Sequence, residues 1–121
     1  MHNLVYLIGR LTSDPQVKET ENGGKVAHAS LAVTRSYKNE NGEYETDFID
    51  CVLFNGIASN TAEYCKKGDL VGIKGRLQVR DYEVDGEKKK TTEVICDKIS
   101  FLASKKPEME ESVEQNDDMD M

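Results

Sequence analysis

Turn dipeptides punctuate this chain at intervals that suit short strands. Asp14-Pro15, Asn22-Gly23-Gly24, Asn41-Gly42, Lys67-Gly68-Asp69 and Asp85-Gly86 each separate segments rich in β-branched, aromatic or aliphatic residues. The segments predict five strands, over residues 3–11, 25–37, 47–54, 70–82 and 91–102, joined mostly by connections short enough for antiparallel pairing. Asn-Gly and Asp-Gly fit a type I′ hairpin turn because both central residues there need positive φ.

One helical stretch falls between the third and fourth strands. Ile57, Thr61, Tyr64 and Cys65 lie on one face at i, i+4, i+7 and i+8, with Asn55 placed to cap the start. Lys66 and Lys67 suit the negative end of its dipole, and Gly68 suits the left-handed position just beyond. Five strands with a helix between the third and fourth is the element order of the OB-fold. The expected class is therefore all-β with one short helix, a five-stranded Greek-key OB-fold barrel over residues 1–104. Gly72 and Gly75 in the fourth strand would permit the sharp coiling that closes it.

Charge divides the chain in two. Of 121 residues, 16 are Lys or Arg and 23 Asp or Glu, for a formal charge of -7. All the basic residues precede Pro107, whereas the stretch 107–121 holds acids and no base, so the body is neutral. Residues 105–121 lack aromatics and periodicity and read as a disordered acidic tail. An acidic whole-chain balance would argue against a nucleic-acid partner, but the acidity belongs to the tail. No apolar run approaches the roughly 20 residues of a membrane span and no secretory signal opens the chain, so a cytoplasmic protein is expected. Cys51, Cys65 and Cys96 are odd in number and include no C-x-x-C pair, which predicts buried thiols rather than disulfides or a zinc ribbon.

Strand parity supplies the functional signal. In the fourth strand Val71, Ile73, Leu77 and Val79 share one face, expected to fill the barrel, while Lys74, Arg76, Gln78, Arg80 and Tyr82 share the other. In the third, Ile49, Cys51 and Leu53 face one way, and Phe48, Asp50, Val52 and Phe54 the other. Rings beside cations suit single-stranded nucleic acid, since bases stack on rings and phosphates meet cations. Such a face can equally be covered by a partner subunit or by the chain's own hairpins. Asp50 counts against a phosphate path unless a cation pairs with it. Arg35 and Tyr37 share the parity of Leu31 and Val33 and would need a bulge to turn outward.

Other chemistry is weakly supported. His2 and His28 stand apart and neither is spaced with other ligands, so no metal and no cofactor are expected. There is no phosphate-cradling G-x-x-x-x-G-K-[ST] run, hence no nucleotide hydrolysis. Asp47 and Asp50, or Glu43 and Glu45, are open to a nuclease reading, but they fall in a hairpin rich in turn residues and lack a clear general base or arginine partner, so solvated hairpin charge is expected. Lys88-Lys89-Lys90 is either a solvated hairpin or a further backbone contact.

The blocks Leu7-Ile8-Gly9-Arg10-Leu11-Thr12-Ser13-Asp14-Pro15, Asn22-Gly23-Gly24, Leu31-Ala32-Val33, Asp47-Phe48-Ile49-Asp50-Cys51-Val52-Leu53-Phe54, Lys66-Lys67-Gly68 and Gly75-Arg76-Leu77, in this order, resemble the bacterial single-stranded DNA-binding protein family. The resemblance implies a non-enzymatic OB-fold homotetramer that wraps and protects single-stranded DNA in replication, recombination and repair. Its base-stacking rings fall on Tyr37, Phe48, Phe54 and Tyr82, and its phosphate contacts on Arg10, Arg35, Lys74, Arg76 and Arg80. It further implies a bacterial, nucleoid-associated protein. Family tails end in acids followed by Ile-Pro-Phe or similar and dock on replication and repair proteins. This chain ends Asp117-Asp118-Met119-Asp120-Met121, with Met121 as the terminal hydrophobe and no Pro or Phe, a departure consistent with a phage, mobile-element or specialised version. An OB-fold interaction module of a primosome or recombination complex, using Phe48, Phe54 and Tyr82 on protein, is the competing reading.

Overall fold

The structure, a computed structural model, describes residues 1–104; the predicted tail at 105–121 lies outside the described residues. Five strands close a barrel: β1 (Val5–Leu11), β3 (Lys25–Lys38), β4 (Tyr44–Phe54), β6 (Glu87–Ala103) and β5 (Leu70–Val84), in that spatial order. Closure comes from β1 pairing with β5 along most of its length and with β3 at Arg10↔Ala32 and Leu11↔Leu31. The helix α1 (Asn55–Tyr64) and β5 intervene between β4 and β6, so these two run parallel, at Cys51↔Val94 and Val52↔Ile95. This is the OB-fold barrel that the element order predicts.

A sixth strand, β2 (Gln16–Glu19), pairs with the edge of β3 and was not legible. It offers one apolar side chain, Val17, in four residues, too few for an alternation to register.

Small aliphatic and thiol side chains fill the interior: Leu11, Ala27, Ala29, Leu31, Cys51, Leu53, Val71, Ile73, Val94 and Cys96 pack as one cluster, capped by Ala58 of α1. No aromatic residue joins them. All five tyrosines and three phenylalanines lie exposed: Tyr6, Tyr37, Tyr44, Phe48, Phe54, Tyr64, Tyr82 and Phe101. The three cysteines are free and buried, as expected. Burial pushes the Cys51 thiol up to about 12 and Cys96 to about 11, because a thiolate would forfeit its hydration there.

Strand β5 obeys the predicted alternation only up to Gly75. Val71 and Ile73 are in the core, but Leu77 and Val79 are exposed. Beyond the buried Val94 the β5–β6 hairpin runs on past the end of the barrel, from Val79↔Thr92 to Val84↔Glu87, so its inward face there has nothing to pack against. At the point of departure a Cβ on Gly75 would strike the carbonyl oxygen of Ile95, and the register slips between Lys74 and Gly75. Only glycine admits this approach of β5 to β6.

The hairpin turn at Asp85-Gly86 has positive φ at both residues, 52° and 82°, as type I′ requires. At Asn41-Gly42 only Gly42 is left-handed, at 80°; the turn is built instead on Asn39, whose Oδ1 accepts from the N–H groups of Asn41 and Glu43 at 2.9 and 3.0 Å.

Two expectations for α1 need correcting. Asn55 does not cap the helix: Phe54 holds the cap position, Asn55 opens α1 at a left-handed φ of 53°, and its Oδ1 accepts from the Lys25 N–H at 3.1 Å, tying α1 to β3. Tyr64 points outward, and the buried face is carried by Ala58 and Thr61.

Candidate nucleic-acid interface

The outer face of the barrel carries ordered rows. Arg76 of β5 stands opposite Ile95 of β6, Ile95 opposite Val52 of β4, Val52 opposite His28 of β3, and His28 opposite Gln16 of β2. Partners in register share a face, so these five side chains cross the sheet in line. Val52 and Ile95 are only 4% and 5% exposed although they point away from the core, which makes them the floor of a groove. In the adjoining row Ser30 faces Asp50, and the parallel register sets Asp50 beside Glu93. Here the groove holds a cavity of about 370 Å³, lined among others by Ser13, His28, Asp50, Arg80, Thr91 and Glu93.

Rings stand along this groove. Phe48 and Phe54 share the outward face of β4 and are 68% and 43% exposed, and Tyr82 on the projecting hairpin is 39% exposed. Tyr37 is 64% exposed and lies in the stretch where the register of β3 with β4 slips, between Thr34 and Lys38. Four sequence-predicted ring positions are thus all at the surface. A fifth ring was missed. Tyr44 lies opposite Lys38, whose Nζ sits 5.7 Å from the ring centroid, a cation–π pair that counting outward from the Asn41-Gly42 turn would have revealed.

The five predicted cations differ in what holds them. Lys74 and Arg76 are exposed and make no ion pair among the described residues; Arg76 belongs to the groove row, while Lys74 stands opposite Tyr6 and Lys98 on the neighbouring part of the sheet. Arg80 donates to Glu93 at 3.1 Å, and that hydrogen bond raises its pKa further. Arg10 donates to the Gly68 carbonyl at 2.8 Å, fixing the loop after α1. Arg35 is clasped by Asp47 and Glu45, which raise its pKa, and Asp47 is in turn held below the usual carboxylate range by Arg35. Asp50 has no salt bridge among the described residues, so the cation that would reconcile it with a phosphate path is not supplied.

The same geometry separates the two carboxylates of the nuclease reading. Asp47 and Asp50 are three residues apart on β4, hence on opposite faces, and Asp47 is occupied by Arg35. Among the described residues no three His, Cys, Asp or Glu side chains gather in a metal-holding group.

OB-folds that bind oligonucleotides do so on the second and third barrel strands and on the loops that flank them. Here those strands are β3 and β4, and the flanking segments are the one containing β2 and the β5–β6 hairpin. A barrel with rings and cations on that surface belongs to the oligonucleotide-binding class. Comparison of sequences narrows the class. The model of the single-strand binding protein family matches residues 2–102. Single-stranded DNA-binding protein B of Bacillus subtilis is 49% identical over 106 residues, 87% of this chain and 94% of that protein. A single-stranded DNA-binding protein of Bacillus cereus is 50% identical over 103 residues, 84% of this chain and 61% of that protein. Single-stranded DNA-binding protein 2 of Listeria monocytogenes is 44% identical over 117 residues, 96% of this chain and 73% of that protein. The chain belongs to the single-strand binding protein family.

Proposed function

We propose that this chain binds and protects single-stranded DNA during replication, recombination and repair, as a non-catalytic protein of the bacterial cytoplasm. Bases stack on Tyr37, Phe48, Phe54 and Tyr82. Phosphates meet Arg76 and Lys74 first, with the half-exposed Arg80 beside them, while Arg10 and Arg35 hold the flanking loop and hairpin. The observation that carries the reading is Phe48, two-thirds exposed on the same face of β4 as Val52, whose row runs from a buried apolar floor to Arg76, which makes no ion pair among the described residues. An exposed ring has no counterpart in the core to satisfy, whereas each base stacked on it contributes about 1–3 kcal/mol without sequence preference.

A second apolar surface supports self-association. Tyr6 and Ile8 project from β1 onto the outer face; the Tyr6 hydroxyl lies over Gly72, 2.9 Å from where a Cβ would stand, with Leu102 alongside. We assign this face to the subunit contacts of a homotetramer. The tail residues Asp117, Asp118, Met119, Asp120 and Met121 lie outside the described residues, and recruitment of replication and repair proteins through them rests on their sequence alone.

The test is a titration with poly-dT followed by tyrosine emission, which no tryptophan obscures, combined with mass measurement of the complex. Saturable quenching and a mass of four chains plus DNA are expected. Absence of quenching at low salt rejects DNA binding, and a monomeric mass rejects the tetramer.

A further inference from the structure

Asp50 is the one feature of the groove that a phosphate path does not explain. It lies between Phe48 and Val52 on the outward face of β4, lines the cavity of about 370 Å³, and has no cation bound to it among the described residues. The neighbouring carboxylate, Glu93, is neutralised by Arg80 at 3.1 Å, so the uncompensated charge at this point is that of Asp50. The cavity falls within the roughly 300–1,000 Å³ span of small-molecule sites and is large enough for a nucleobase.

A carboxylate can only accept hydrogen bonds, and it repels phosphate. A strand stacked on Phe48 therefore turns its backbone toward the arginine side of the groove and its base edges toward Asp50, two residues along the same face. Single strands expose their Watson–Crick edges. Cytosine, adenine and guanine each present an exocyclic amino group there, and aspartate accepts well from such a group. Thymine presents a single N–H flanked by two carbonyl oxygens, both of which oppose the carboxylate.

Resting on the single-stranded DNA reading, we infer that Asp50 is a specificity-determining residue that biases the Phe48 subsite toward amino-bearing bases and against thymine. The bias is a modest preference within otherwise unselective binding. His28 and Thr91 add further polar groups to the lining of the same cavity.

The experiment measures affinities of equal-length oligo-dC and oligo-dT, by anisotropy of end-labelled DNA, for the full chain and for Asp50→Ala and Asp50→Asn. Asp50 is exposed and outside the core cluster, so both variants keep the fold, which thermal melting verifies. Asp50→Ala is expected to shift the dC-to-dT affinity ratio toward dT by about 5–10-fold, the low end of a base-edge contact. Asp50→Asn, whose amide can also donate to thymine carbonyls, shifts it the same way. A ratio unchanged within twofold overturns the inference while leaving DNA binding intact, as does an equal gain for both oligomers, which would make Asp50 a source of repulsion only. Failure of the unmodified chain to bind either oligomer overturns both readings.

Discussion

Arg35 grips Asp47 across the β3–β4 pair with two parallel hydrogen bonds, Nε to Oδ2 at 3.0 Å and Nη2 to Oδ1 at 2.9 Å, while its Nη1 reaches Glu45 at 2.8 Å. The clasp sits beside the slip in register between Thr34 and Lys38, the stretch that holds Tyr37. Its planar fork matches a carboxylate in a way that an ammonium cannot.

On the single-stranded DNA reading proposed above, Arg35 is expected to act by holding the stretch that carries Tyr37 rather than through phosphate. Arg35→Lys keeps the charge and loses the fork, so it is expected to weaken poly-dT binding several-fold, much as Arg35→Ala does, with the salt slope unchanged in both. Titrations at several salt concentrations decide the matter: full retention of affinity in Arg35→Lys would identify a simple phosphate contact.

On the same reading, Arg76 and Phe48 are expected to contribute differently to DNA affinity. Removing a cation that displaces one counterion from a single strand lowers the log–log salt slope by about 0.7. Arg76→Ala should show that decrease, whereas Phe48→Ala should lose about 1–3 kcal/mol of affinity at every salt concentration with its slope preserved. Parallel salt titrations of the two variants check this, and identical slopes would contradict the assignment.

Thr61 carries a buried hydroxyl with no hydrogen-bond partner among the described residues. Replacing it by valine, of nearly the same shape, removes a desolvated polar atom rather than a contact. Thr61→Val is expected to stabilise the protein by about 1 kcal/mol and raise the melting midpoint by a few degrees. A lower midpoint in a thermal melt would show that the hydroxyl is satisfied in solution.

The thiols predict alkaline sensitivity. From an ordinary value of 9.0, Cys51 is raised to about 12 and Cys96 to about 11, chiefly by burial. Between pH 9 and those values the folded state keeps protons that the unfolded state has released. Stability is therefore complete below pH 9 and falls as pH rises, by at most about 1.4 kcal/mol per pH unit for each thiol. Cys51→Ala should flatten the decline in denaturant midpoint above pH 9. At pH 8 the native protein should resist a thiol reagent that modifies all three cysteines once it is unfolded.

How far the sequence disclosed these features depended on the range of the interaction. The Asp85-Gly86 turn was legible because two adjacent residues determine it. The outward face of Phe48 and Phe54 followed from alternation within one strand. Leu77 and Val79 misled because alternation reports which face a side chain takes, not whether another layer lies against that face. Arg80 with Glu93, and Arg35 with Asp47, join residues 13 and 12 apart in sequence, and only the hairpin registers bring them together. Parity did flag Tyr37 as needing a bulge, but the clasp beside that bulge depended on the pairing of β3 with β4.

An interior with no aromatic side chain separates two kinds of change available to this protein. Aliphatic and thiol groups hold the barrel closed, and the rings all stand outside it. Substitutions that exchange one ring for another can redraw ligand preference or subunit pairing without repacking the interior. The surface is thus free to diverge among copies that share one scaffold.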